Sequence, residues 1–177
     1  KNGVFFETVI KNITRGAQIK ASVLDEIVSD EPTNMQYLML ANLQDGIISD
    51  ELPYLKGIDS KYEKYCIKNG SLVISKNASP VKMAIVSVQE GNKILANGNL
   101  YVIELDKDKI NPYFLKAYLE SESGKAALSR VAVGATLLSL PVEGLKKVII
   151  PLPDLESQKK IADQYYAKLS EIKELKY

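Results

Sequence analysis

Residues 147–177, KVIIPLPDLESQKKIADQYYAKLSEIKELKY, constrain the chain more than any other part of it. Val148, Ile149 and Ile150 read as a short buried strand. Pro151 and Pro153 forbid regular structure for the next few residues, since each fixes φ and removes a backbone donor. Asp154 is placed to cap a helix. From Leu155 onward there is no Gly or Pro and most residues are good helix formers. Some twenty residues at about 1.5 Å each make a rod of about 30 Å. Leu155, Ala162, Tyr165, Leu169 and Ile172 fall on one line of that rod, completed by Gln158 and widened by Ile161 and Leu175. Lys159, Lys160, Glu171, Lys173 and Glu174 lie mostly off it. This is the pattern of a helix that pairs with another helix. It also suits a terminal helix docked on its own domain. The missing stop signal and the two prolines favour pairing.

The remainder reads as one domain of moderate size, 1–152, with the helix as a second unit, 153–177. The 177 residues are 46% hydrophobic and 25% charged, ordinary for a globular protein. No apolar run is long enough to span a membrane. A lone Cys66 forms no internal disulfide and suits a reducing cytoplasm. The first residue is Lys rather than Met, so the chain reads as a piece of something longer.

The net charge of +1 argues against indiscriminate coating of DNA, but the charges are segregated. Residues 1–20 carry Lys1, Lys11, Arg15 and Lys20 against Glu7. Residues 21–60 carry eight acidic groups against Lys56. Residues 61–82 carry Lys61, Lys64, Lys68, Lys76 and Lys82 against Glu63.

Helical spacing of Phe5, Phe6, Val9, Ile10 and Ile13 predicts a short helix over 4–11. Thr14 to Ala17 reads as a turn, and Gly16 as either a helix-ending glycine or a point of close approach to a ligand. A second short helix is expected around Val23–Val28. Strands are expected over Tyr37–Leu43, Leu72–Ser75, Val81–Val88 and Leu100–Leu105, with Ile47 and Ile48 as a partner after an Asp45-Gly46 turn. Asn111 and Pro112 open a helix whose inner face is Phe114, Leu115, Tyr118 and Leu119, and another helical segment follows near Lys125–Val131. The fold class is α+β: a compact mixed or antiparallel sheet domain with flanking helices and a protruding C-terminal long helix.

Catalytic chemistry is poorly provided for. There is no His, so Ser–His and Cys–His pairs are impossible, and a zinc site is nearly excluded. No P-loop and no convincing set of paired nuclease carboxylates is present. Asn111-Pro112-Tyr113-Phe114 approximates the N-P-P-[YFW] loop of amino-methyltransferases. It lacks the second proline and is better read as a helix cap.

Ile150-Pro-Leu-Pro-Asp-Leu-Glu-Ser-Gln-Lys-Lys-Ile-Ala162 resembles the segment that ends a target recognition domain in specificity subunits of type I restriction–modification systems. Lys68 to Ser75, Asn111 to Leu119 and Gly134 to Val148 resemble further segments of that family in the same order, so the likeness spans most of the chain. It implies a non-catalytic DNA reader without cofactor or metal. It implies double-stranded DNA as ligand, methyltransferase subunits as partners and, through them, the restriction subunit. A homodimer or a second recognition unit is expected through the terminal helix. Residue types that hold phosphates and read bases concentrate in three places, giving Arg15, Gln18, Lys20, Lys76, Asn77, Ser79, Lys82, Arg130 and Thr136 as candidate contacts. The alternatives are the recognition domain of a fused N6-adenine methyltransferase, and a protein-interaction module that never touches DNA. The latter predicts no positive face joining residues 11–20, 76–82 and 130–136.

Overall fold

The computed structural model describes residues 3–49 and 51–176. Lys1 and Asp50 of the charged blocks, and Tyr177 at the end of the expected helix, lie outside the described residues. Short strands carry the first two thirds of the chain: β1 (Gly3–Phe5), β2 (Ile10–Arg15), β3 (Val28–Ser29), β4 (Met35–Leu38), β5 (Leu43–Gln44), β6 (Ile47–Ile48), β7 (Tyr54–Leu55), β8 (Leu72–Ser75), β9 (Met83–Ile85), β10 (Lys93–Ala96) and β11 (Leu100–Leu105). Among them lies α1 (Ala21–Ile27). Helices dominate the rest: α2 (Pro112–Glu120), α3 (Glu122–Val131), α4 (Val142–Lys146), then β12 (Ile149–Pro151) and α5 (Leu155–Lys176).

β8 and β11 are apolar at consecutive positions. Side chains alternate across a strand, so such runs must be covered on both faces. The order β2-β11-β8-β9 makes an antiparallel sheet with β11 and β8 at its centre. Leu72, Ile74, Tyr101, Ile103 and Leu105 face a core built with Phe114, Leu115, Leu119, Leu128 and Ile150 from the helical side. Val73, Leu100 and Val102 face a second core with Leu38, Ile94 and Ala96. These last belong to a second sheet, β10-β4-β7-β3, in which β10 and β4 run parallel. Its far face, with Tyr37, Leu55 and Leu95, is covered by Leu24 and Ile27 of α1 and by Tyr62 and Tyr65. The layers are therefore helices, sheet, sheet, helix. Each fully buried Leu or Ile contributes about 1.5–3 kcal/mol of transfer free energy.

Several expectations are corrected. No α-helix covers 4–11. Phe6–Val9 make a single 3-10 turn whose Phe6 and Val9 are buried, and the β-branched residues that follow extend as β2, pairing Ile13 with Ile103. Thr14 and Arg15 are the end of that strand, not a turn. The strand expected over Tyr37–Leu43 stops at Leu38. A 3-10 turn, Leu40–Asn42, intervenes, with the Met39 N–H donating to Asn42 Oδ1 at 2.9 Å. The strand expected over Val81–Val88 shrinks to Met83–Ile85. β10 and α4 were not expected. Asn111 does cap α2, its Oδ1 accepting from the N–H groups of Tyr113 (2.9 Å) and Phe114 (3.4 Å).

α5 begins as expected at Asp154, whose Oδ1 accepts from the Ser157 N–H at 2.7 Å; that bond holds the carboxyl below its ordinary range. The prolines do not set the helix apart. Gln158, Ala162 and Leu169 are buried, and Tyr165 donates to Glu120 of α2 while accepting from Lys116 Nζ at 2.6 Å. Tyr166 meets Tyr113 edge-on at 4.9 Å. Of the line expected to pair with a second helix, Tyr165 thus faces α2 of the same chain, Ala162 joins the core with it, and Leu169 is buried. Leu155 lies off that face and is exposed. Gln158 is a tie: Oε1 accepts from Asn111 N at 2.8 Å, and Nε2 donates to the carbonyls of Pro153 (2.8 Å) and Lys109 (3.1 Å).

Candidate nucleic-acid interface

The antiparallel register decides which loops meet. Tyr101 lies opposite Arg15, and Leu100 opposite Ser75. The end of β2, the end of β8 and the start of β11 therefore share one end of the sheet. Residues 16–20, 76–82 and 97–99 leave from that end together. The Gly16 N–H donates to the Leu100 carbonyl (2.9 Å), the Ala17 N–H to Ala96 (2.8 Å) and the Lys76 N–H to Asn99 (3.0 Å). A fourth segment adds itself beyond Lys76. Leu140 N–H donates to Lys76 (2.7 Å) and Ala78 N–H to Leu138 (3.0 Å), while Val133 and Ser139 exchange two bonds of 2.9 Å. The 133–139 hairpin is thereby laid against the loop after β8.

Gly16 is neither a helix-ending glycine nor at positive φ. Its backbone packs so tightly on Asn97 that a Cβ would collide with the Asn97 carbonyl. That packing brings Arg15, Gln18 and Lys20 around Asn97, Gly98 and Asn99, lining a hollow of about 410 Å3. Arg15 Nε donates to the Gly98 carbonyl at 2.7 Å. Lys76 and Asn77 lie next to it across Asn99. Ser79 and Thr136 are exposed, on the loop after β8 and in the 133–139 hairpin. Lys82 belongs to another depression, a cleft of about 680 Å3 that it lines with Lys125, Ser129 and Leu138. Arg130 is exposed on the last turn of α3, beside Ser129. Seven of the nine candidates thus line or adjoin one rim, Arg15 to Ser79 with Thr136 on the abutting hairpin. Lys82 and Arg130 flank it, and Asn77 is tied in through its bridge to Ser139.

The charge on this rim is uncompensated. Some lysines elsewhere have acidic partners, as in Lys68–Glu104, Lys93–Glu63, Lys147–Glu7 and Lys159–Asp163. Among the described residues Arg15, Lys20, Lys76, Lys82, Lys125 and Arg130 have none. Burial, and then the nearby positive charge of Arg15, hold the Lys76 ammonium below its ordinary pKa. Two cations kept together by strand register, with no carboxylate between them, make a place that favours an anion.

Among the described residues no cluster of Cys, Asp or Glu could hold a metal ion. Burial pushes the Cys66 thiol up, away from a reactive thiolate. No described helix is long and apolar enough to cross a membrane.

The sequence reading missed Asn97, Gly98, Asn99 and Lys125. An Asn-Gly-Asn turn ahead of a strand was visible, but its place between Arg15 and Lys76 depends on cross-strand pairing.

A family model described as type I restriction modification DNA specificity domain matches residues 25–174. A curated type I restriction enzyme specificity subunit, MjaX of Methanocaldococcus jannaschii, is 33% identical over 116 residues, 63% of this chain and 27% of the relative. The HsdS subunit from Thermoanaerobacter tengcongensis superposes with a TM-score of 0.63 at 18% identity, over 99% of this chain and 39% of that one. A type I system S subunit from M. genitalium superposes with a TM-score of 0.58 at 13% identity, over 92% of this chain and 37% of that one. The solved structures support the fold, and the chain spans well under half of each of these relatives.

Proposed function

The chain belongs to the type I restriction–modification DNA specificity domain family, and from that membership we propose that it reads one half of a bipartite DNA site as a single target recognition unit. The observation that carries this reading is the unpaired positive rim, assembled from segments far apart in sequence at one end of the central sheet. Phosphate contacts fall to Arg15, Lys20, Lys76, Lys82 and Arg130; Gln18, Asn77, Ser79 and Thr136 are the polar groups within reach of base edges or sugars. The unit is non-catalytic and cytoplasmic, and works by docking methyltransferase subunits, and through them the restriction subunit. The rival protein-only module predicts no positive face joining residues 11–20, 76–82 and 130–136, and no binding to duplex DNA.

Binding to labelled duplex, followed by fluorescence anisotropy, tests the reading. Five phosphate contacts give a slope of about −4.5 for log affinity against log salt, so affinity falls about 500-fold between 50 and 200 mM. No binding to any duplex at 50 mM, or salt-independent binding, overturns it.

A second recognition unit is held through the flank of α5 that α2 leaves uncovered. Ile161 and Leu175 are exposed there and Ile172 half-buried, with Lys168 continuing a three-and-four spacing. Replacing Ile161 and Leu175 together with Asp removes no buried side chain. We expect light scattering to show a dimer for the unaltered chain at micromolar concentration and a monomer for the variant. An unchanged dimer rules this flank out.

A further inference from the structure

We infer that Gln18 and Asn99 are the base-reading side chains of the rim, set on either side of Gly98, while Arg15 and Lys76 grip the flanking phosphates; this rests on the DNA-reading function proposed above. The argument begins with the turn itself, which is anchored at every residue. Asn97 Nδ2 donates to the hydroxyl of the fully buried Tyr37 at 2.7 Å, and Asn97 Oδ1 accepts from the Asn99 N–H at 2.8 Å. The Gly98 carbonyl is held by Arg15, and the Asn99 carbonyl by the Lys76 N–H. A Cβ on Gly98 would stand 2.5 Å from Gln18 Cγ, so this backbone and the Gln18 side chain are in contact.

Rigidity of this kind costs conformational freedom and needs a reason. Asn97 is a positioning residue, its amide spent inside the protein. Gln18 and Asn99 are exposed and, among the described residues, their side-chain amides have no hydrogen-bond partner. An amide offers one donor edge and one acceptor edge. That pair matches adenine N7 and N6 in the major groove, and neither a phosphate nor a carboxylate uses both. Two free amides on a fixed turn, bracketed by two unpaired cations, is an arrangement in which backbone contacts set the register and the amides read it. The ligand is therefore a duplex with adenine at the positions facing Gln18 and Asn99.

Selection of bound duplexes from a randomised pool tests this, using the chain, Asn99→Ala, Gln18→Ala and Lys76→Ala, each checked for an unchanged melting temperature. The unaltered chain should enrich adenine at defined positions. Asn99→Ala and Gln18→Ala should each relax preference about 10-fold at one position and leave the salt slope alone. Lys76→Ala should weaken all duplexes alike and flatten the slope by about 0.9. If both amide variants keep the original preference, or the unaltered chain binds without preference, the inference fails while DNA binding stands. If no duplex is bound, the proposed function fails with it.

Discussion

Arg15→Glu combined with Lys76→Glu is expected to lower affinity for duplex DNA about 4,000-fold at 100 mM salt. Each lost phosphate contact removes about 0.9 of a decade at that ionic strength, and each reversed charge adds repulsion of similar size. The single change Lys76→Glu separates binding from folding. It replaces a like-charge neighbour of Arg15 with an opposite one, so stability should hold or rise by up to about 1 kcal/mol while DNA affinity falls. Urea unfolding and anisotropy on the same sample check both halves. If Lys76→Glu destabilises the fold and leaves DNA affinity intact, the rim is structural and the assignment of a phosphate-binding face is wrong.

Gln158→Leu is expected to cost about 3 kcal/mol, a large share of the stability of a small domain. Gln158 is fully buried, and one amide serves three backbone groups on two segments, those of Lys109 and Asn111 before α2 and of Pro153 before α5. Leucine fills nearly the same space but leaves one N–H and two carbonyls without that partner, and a buried unsatisfied group costs about 1–3 kcal/mol. Gln158→Glu should be worse at neutral pH. It keeps the acceptor for Asn111 but sets a carboxylate against two carbonyl oxygens. Burial raises the pKa of such a group in the folded state, so its penalty is largest above about pH 5 and eases in acid. Urea midpoints at pH 4.5 and pH 7 read this directly. Equal midpoints for Gln158→Leu and the unaltered chain would show that water replaces the amide at no cost.

Local physical chemistry left several features legible in the sequence. Asn111 before Pro112 announced the start of α2, because a cap and a fixed φ act within a few residues. The Asp154 cap and the unbroken run behind it announced α5. The apolar run Leu100–Leu105 announced a strand, and the structure places β11 over the same residues. Where two periodicities were compatible with the same letters the reading failed. Phe5, Phe6, Val9, Ile10 and Ile13 suit a helix, yet β2 forms because β11 offers it a full ladder of backbone bonds, a tertiary reward that no local pattern encodes. β10 was hidden for the same reason: Lys93–Ala96 is too short to declare itself and exists as a strand by pairing with β4.

The sequence by itself determined that this chain is α+β, lacks histidine chemistry, ends in a long amphipathic helix and carries the ordered motifs of its family. Only the tertiary structure decided that α2 occupies much of that helix's apolar line, and that Arg15, Asn99 and Lys76 stand side by side. Caps, prolines and periodicity are short-range and survive in the order of the letters. Strand register and helix docking join residues tens of positions apart, such as Arg15 with Gly98 and Lys116 with Tyr165, and those are fixed only when the whole core packs.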